Sequence, residues 1–232
     1  MQTLTELLDT IDADPTLAGL RDLAAGDDDA AHGLDHLLRV ALWTVRIGGA
    51  GIDRREAIAT ALLHDFVNVP KDDPRRAQAS ALSADAARPH LEAAGFDDAA
   101  VERMTTAIRQ HSFSRGETPT EPLACALQDA DRLEALGAIG VLRCAATGGR
   151  MNAGMFHPDD PFALDRPLDD RAWSVDHFFA KLLRLPSTMR TEAGRAEATR
   201  RATVLHQLLE DLAVELGRDP AEVTAATHHH LR

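Results

Sequence analysis

Apolar side chains recur at intervals of three and four residues over most of this sequence. The stretch LDHLLRVALWTVRI is one example, because Leu37, Leu38, Ala41, Leu42 and Val45 follow helical spacing until Gly48-Gly49 ends the pattern. No segment alternates between apolar and polar residues as a half-buried strand does, and no repeat or low-complexity tract is present. The pattern therefore predicts an all-α protein.

Capping residues and prolines mark the ends of the predicted helices. Asp14 and Asp53 each precede an apolar helical pattern, and Pro15 suits the first position of a helix. Pro70 and Pro74 bound a short loop between two helices. The predicted helices span residues 15–25, 34–47, 54–66, 74–95 with a break near Ser83, 97–110, 123–144 with an interruption at QDADR, 170–185, 190–217, and a short piece after 220.

Two polar stretches separate these helices. The first is GDDDAAHG (26–33), and the second is the longer irregular region 147–170, a length that is typical of a lid or binding loop. Because no stretch resembles a flexible linker, we expect a single domain over 1–232, with a core at about 30–145 and C-terminal helices at 170–229. We expect the terminal histidines, 228–230, to belong to a frayed end.

Charge and composition narrow the classes of function. The 25 Lys and Arg against 37 Asp and Glu give a net charge of −12. Such a field disfavours binding to DNA or RNA polymers and to anionic membranes, and a phosphate-bearing ligand would need a locally basic pocket. The two cysteines form no disulfide framework, and no apolar run approaches the roughly 18 residues of a membrane span. The sequence thus predicts a cytoplasmic protein.

The stretch ALLHDFVNVPK (61–71) places His64 and Asp65 side by side at the end of a predicted helix. Adjacent helical side chains point about 100° apart, so the pair can flank a small object such as a metal ion. An acid at a helix C-terminus opposes the helix dipole, and a divalent cation would offset that cost. In the alternative interpretation, Asp65 is only a helix-terminal acid and His64 a hydrogen-bonded core residue.

Two further segments contain residues that could bind the same metal ion as the HD pair. His36 lies in AHGLDHLLRVALW, and Asp129 and Asp131 lie in the otherwise apolar ALQDADRLEALGAIG. Buried carboxylates without a partner cost several kcal/mol, so these acids require a cation. A mixed set of imidazole and carboxylate ligands suits Mn, Fe, Co, Ni or Mg with open water positions. The residues alone leave open which of the two acids is the ligand.

The strings HGLDHLLRV, LLHDFVNVPKDDP, IRQHSFS, QDADRLEALGAIG and DHFFAKLL resemble the HD-domain superfamily of metal-dependent phosphohydrolases, in its bacterial YedJ/YpgQ-type branch. The resemblance runs from about residue 30 to 210. It implies an HD-domain helical bundle with a C-terminal helical extension. It also implies that His36, His64, Asp65 and Asp131 are the metal ligands, because ADRL matches the segment that holds the last ligand. Asp129 is then a candidate for proton transfer.

Five other side chains are candidates for substrate binding or proton transfer. Lys71, in the loop after the HD pair, is interpreted as a catalytic and phosphate-binding ammonium, with Arg39 and Arg132 as supporting charges. His32 is a candidate to line the site, and His111 is a candidate proton donor or phosphate ligand. The simpler alternatives are a surface lysine, a solvated loop histidine and a helix-capping histidine.

Two-metal enzymes of this fold carry extra histidines between the HD pair and the last aspartate. Where such enzymes tend to place one, this chain offers Ser80 and Ser83, and His90 and His111 are the only histidines of the interval. We therefore expect one divalent ion, which argues against the di-iron oxygenases of the same fold.

The resemblance implies hydrolysis of a phosphate ester or anhydride of a nucleotide, by a phosphatase or a pyrophosphohydrolase. It leaves room for a homodimer. Two alternatives stay open: an HD-fold oxygenase acting on a small organic substrate, and a non-catalytic module that senses a metal or another ligand.

Overall fold

The structure is a computed structural model that describes residues 2–25, 33–69, 73, 75–112 and 117–231. These residues form α-helices and short 3-10 helices without a β-strand, and the only β-type pairing among them is one isolated bridge between Gly154 and Trp173. The all-α prediction is confirmed. The α-helices are α1 (Leu4–Ala13), α2 (Pro15–Ala24), α3 (Leu34–Gly48), α4 (Arg54–Leu63), α5 (Ala79–Ala93), α6 (Asp98–Gln110), α7 (Pro122–Leu133), α8 (Gly137–Arg150), α9 (Ser174–Ala180), α10 (Glu192–Glu215) and α11 (Ala221–His230).

The chain divides into two compact units, Met1–Asp131 and Arg132–Arg232. In the first, α3 packs along α4, α5 along α6, and α4 also contacts α2 and α6. In the second, α10 packs against α8, α11 and the 3-10 helix Leu182–Thr188. That all 232 residues form one domain stays a prediction. None of the described helices is long and apolar enough to cross a membrane.

Aspartate side chains start the helices as the sequence predicts. Asp14 accepts hydrogen bonds from the backbone N–H groups of Thr16 and Leu17, and Asp53 accepts one from Glu56. These carboxylates satisfy amide groups that have no partner within the helix, and their charge suits the positive end of the helix dipole.

Helix α4 is the central helix of the first unit. Every residue from Ala57 to Leu63 is buried, which is the pattern of a helix surrounded by other helices on all sides. The helix ends at Leu63 and not at Phe66 as predicted, and His64 occupies the C-cap position. Because the helix runs through the core, the residue that follows its last turn is itself fully buried.

The predicted break near Ser83 is wrong, since α5 continues through this residue. The Ser83 side chain is buried, and its hydroxyl oxygen accepts a hydrogen bond of 3.1 Å from the backbone N–H of Val67. Serine disfavours helices because its hydroxyl competes for hydrogen bonds with the backbone of its own helix. Here the hydroxyl bonds to another segment, so this competition is absent.

The sequence predicts one long helix over 123–144 with an interruption at QDADR. The structure instead has two helices, α7 and α8, and the break between them does not fall at QDADR. The QDADR segment lies within α7, and the chain breaks only after it, before Gly137, whose φ of +69° is favourable for glycine alone. Polar residues remain in the helix because they have tertiary partners; for example, the amide of Gln128 donates to the carbonyl oxygen of Gln110 (2.8 Å).

The second unit differs from the predictions at three places. Helix α8 extends to Arg150, so the irregular region begins later than 147. The predicted helix at 170–185 is a short α9 followed by a 3-10 helix. The terminal histidines are not frayed, because α11 includes them and His230 Nε2 lies 3.2 Å from the carbonyl oxygen of Phe162.

Candidate metal centre

Four side chains from two helices and the end of a third converge in the first unit. His36 lies in the first turn of α3, His64 caps α4 and is followed by Asp65, and Asp131 lies near the end of α7. Asp131 Oδ1 is 3.7 Å from His36 Nε2 and 3.9 Å from His64 Nε2, while Asp65 Oδ2 is 3.6 Å from His64 Nε2. Potential ligand atoms of His36, His64 and Asp65 all lie within 4.8 Å of one another.

The ring of His64 is oriented by the backbone of its own helix. Its Nδ1–H donates to the carbonyl oxygen of Ala61 (2.8 Å), so Nε2 carries the lone pair. Nε2 is buried and has no hydrogen-bond partner. Burial lowers the pKa of His64 to about 4, although the nearby carboxylate of Asp65 opposes this shift. The ring is therefore neutral at pH 7, as a metal ligand must be.

These observations fit a bound cation. The bare Nε2 of His64 faces oxygens of both Asp65 and Asp131, and a lone pair next to two anionic oxygens is stabilised by a cation between them. Two ligands of one ion at about 2.1 Å are at most about 4.2 Å apart, and the closest contacts among these four residues meet that limit. His36, His64 and Asp65 form a possible metal-binding group, and Asp131 Oδ1 lies within 4 Å of both histidines. The assignment of all four residues as ligands of one ion stays a proposal.

His111 adjoins this group. It caps the C-terminus of α6, its Nδ1–H donates to the carbonyl oxygen of Ile108 (2.7 Å), and its Nε2 is 3.4 Å from Asp65 Oδ1. The ring meets that of His64 edge to face, with centroids 4.9 Å apart. Burial lowers the pKa of His111, but its contact with the Asp65 carboxylate raises it, and the net shift is upward. His111 is therefore both a helix cap and a neighbour of the HD pair.

The two acids of QDADR have different environments. The side chain of Asp131 is 30% exposed, and its Oδ1 faces both histidines. Asp129, two residues earlier on α7, is fully buried. The distances of Asp131 Oδ1 from both histidines thus favour Asp131 as the ligand, while the role of Asp129 in proton transfer stays a prediction.

The two predicted arginines already have protein partners. Arg39 forms an ion pair with Asp35 (2.6 Å), one helical turn earlier. Arg132 is buried and donates to the carbonyl oxygen of Thr188 (2.6 Å). Their roles in substrate binding are not tested by these contacts. The positions of Lys71 and His32 lie outside the described residues.

One residue that supports the metal centre is absent from the site residues predicted from the sequence. Gln128 is fully buried on α7, and its bond to Gln110 joins α7 to the end of α6 directly before His111. A polar residue in an otherwise apolar helix is the signal that could have identified it. Its partner, a backbone carbonyl 18 positions away, leaves no mark in the sequence.

Comparison with known proteins identifies the family of this chain. The family model of the HD domain matches residues 33–136. YpgQ of Bacillus subtilis, an uncharacterised protein, is 30% identical over 203 residues, which cover 85% of this chain and 91% of YpgQ.

Solved structures show the same fold. The crystal structure of Bacillus subtilis YpgQ in complex with ADP matches with a TM-score of 0.66 and 27% identity, over 85% of this chain and 96% of that one. An HD-superfamily hydrolase from Bacillus thuringiensis matches with a TM-score of 0.67 and 25% identity, over 91% of this chain and 98% of its own. The chain therefore belongs to the HD-domain superfamily, and within it to the branch that includes YpgQ.

Proposed function

We propose that this protein is a metal-dependent phosphohydrolase that acts on a phosphate ester or anhydride of a nucleotide. The observation that carries the proposal is the buried Nε2 of His64, which faces the carboxylates of Asp65 and Asp131 without a hydrogen-bond partner. The superfamily includes hydrolases, and the YpgQ structure contains ADP, which supports a nucleotide as the ligand class.

A divalent ion at this centre would supply Lewis acidity toward a phosphoryl oxygen and would activate a water molecule. His36, His64, Asp65 and Asp131 would hold it. Three of these residues are fixed by helices, and the His64 ring is further fixed by its bond to Ala61. Such restraint keeps the ligands in place without reorganisation during the reaction.

The substrate must be attracted by local charges, because the whole chain carries −12. Lys71 is the proposed phosphate-binding ammonium, since it follows the HD pair by six residues and no other lysine precedes it in the chain. Arg39 can contribute positive potential, although its pairing with Asp35 reduces that contribution. Asp129 is the proposed group for proton transfer.

A panel of nucleoside mono-, di- and triphosphates tests the proposal. Chelator-treated protein is assayed with Mn, Mg, Co or Ni, and nucleotide products are separated by chromatography while phosphate and pyrophosphate are measured. We expect turnover of at least one nucleotide, dependent on added metal and lost in His64→Ala. Release of phosphate would indicate a phosphatase, and release of pyrophosphate a pyrophosphohydrolase. A wild-type protein that binds metal but hydrolyses no member of the panel would contradict the proposal.

A further inference from the structure

The two oxygens of the Asp65 carboxylate face different histidines. Oδ2 lies 3.6 Å from Nε2 of His64, on the side of the proposed metal, and Oδ1 lies 3.4 Å from Nε2 of His111. Because a donor on His111 lies against Oδ1, the carboxylate is held with Oδ2 toward His64 and the proposed metal.

His111 is itself held firmly. Its ring is buried, and both of its nitrogens face acceptors, Nδ1 the carbonyl oxygen of Ile108 and Nε2 the Oδ1 of Asp65. Both nitrogens therefore act as N–H donors, unlike those of His64, whose Nε2 keeps its lone pair. The edge of the ring packs against His64. One residue earlier, the carbonyl oxygen of Gln110 accepts a hydrogen bond from Gln128 of α7, the helix that also carries Asp131. The end of α6 is thus anchored to a helix of the metal centre.

We infer that His111 is a positioning residue that acts through Asp65: it holds Oδ1, so that Oδ2 is presented to the metal. The inference rests on the proposed function only in taking Asp65 as a metal ligand. In this role His111 needs no contact with the substrate. Partners that orient a metal ligand in this way typically contribute a factor of about 10 to 100 in metal affinity.

Three substitutions separate this role from simple packing. His111→Ala removes both ring nitrogens. His111→Gln places an amide near the position of Nε2, where it can donate to Asp65, whereas His111→Asn places its amide near Nδ1, where it can reach only the helix end. His90→Ala is the matched control, because the His90 ring of α5 packs against Phe66 and its removal deletes an imidazole near the HD pair without deleting the contact between His111 and Asp65.

The measurement is Mn²⁺ affinity of the chelator-treated full chain by isothermal titration calorimetry, with the melting temperature of the metal-free protein recorded for each variant. We expect His111→Ala and His111→Asn to bind Mn²⁺ about tenfold more weakly than wild type. His111→Gln should recover most of the affinity, and His90→Ala should bind as wild type does.

Two results would overturn the inference. One is wild-type affinity in both His111→Ala and His111→Asn. The other is an equal loss in all three His111 variants together with a lower melting temperature of the metal-free protein, which would indicate packing alone. A failure of the proposed function alone would be distinguishable, because wild-type protein would then bind Mn²⁺ without hydrolysing nucleotides. Wild-type protein that does not bind Mn²⁺ would refute both the proposed function and the inference about His111.

Discussion

His36 Nε2 and Asp131 Oδ1 lie 3.7 Å apart, although α3 and α7 are far apart in the sequence. Each residue belongs to a different helix of the first unit, and the side chain of Asp131 retains 30% exposure while His36 is buried. The centre therefore forms only when the helices pack, with the histidines in the interior and both acids, Asp65 at 28% exposure and Asp131 at 30%, open toward solvent. An ion bound there could be reached by a substrate.

The two acids of α7 should respond differently to substitution. Asp131→Asn should lose metal binding, because Asp131 Oδ1 is the oxygen that faces both histidines. Asp129→Asn should keep the metal and lose part of kcat, because it is proposed to transfer a proton. Metal content and steady-state kinetics of the two variants check this. The reverse pattern would assign the ligand to Asp129.

Lys71→Ala should reduce kcat/KM for the best nucleotide by about ten- to a hundredfold, because a charge-assisted hydrogen bond is worth roughly 1.5–3 kcal/mol. Metal content and melting temperature should stay near those of wild type, since the side chain is proposed to bind phosphate only. Lys71→Arg should recover part of the loss, because the contact depends mainly on charge. Unchanged kinetics in Lys71→Ala would refute a phosphate-binding role for this lysine.

Asp176 should be important for stability and not for metal binding. Its buried carboxylate accepts two hydrogen bonds from Arg166 (2.6 and 2.7 Å) and one from the backbone N–H of Asp169 (2.7 Å). Arg166 is 17% exposed and keeps the nearby carboxylates of Asp160 and Asp169, so Asp176→Ala should lower the free energy of unfolding by about 3 kcal/mol, the lower end of the range for a broken buried pair.

Asp170→Ala is the matched control for this change. Its carboxylate is 45% exposed and contacts His177 at 3.1 Å, so its removal should alter the free energy of unfolding by at most about 1 kcal/mol. Denaturant unfolding measures both variants. Equal effects of the two substitutions would show that the buried pair does not anchor this region.

Removal of the metal should destabilise the wild-type protein. Metal at a hundred times its Kd stabilises the folded state by about 2.7 kcal/mol, which corresponds to roughly 5–10 °C in melting temperature for a chain of this size. Excess chelator should reverse the shift. In His64→Ala, Mn²⁺ and chelator should leave the melting temperature unchanged; a metal-induced shift of wild-type size in that variant would place the ion elsewhere.

The sequence permits prediction of most helices because their signals are local. Asp14 and Asp53 cap helices as expected, and the HD pair stands out because two ionisable residues follow a buried apolar run. The errors occur where a polar side chain has a distant partner. Ser83 and Gln128 were expected near breaks, but each side chain bonds to the backbone of another segment. Such partners are set by tertiary packing and cannot be read from the helical pattern.

The sequence also predicts which residues bind a metal, but not how they are oriented. That Ala61 fixes the ring of His64, and that His111 and His64 share the carboxylate of Asp65, follow only from the distances. The contributions of Lys71 and His32 remain predictions.

The central claim is that His36, His64, Asp65 and Asp131 bind one divalent ion. Its most direct test is the metal-to-protein ratio by mass spectrometry, after metal-free protein is equilibrated with Mn²⁺ and separated from unbound ions. We predict one ion per chain in wild type and in His90→Ala, and none in His64→Ala and Asp65→Ala, with far-ultraviolet circular dichroism unchanged. Retention of the ion by either ligand variant, or two ions per wild-type chain, would contradict this account.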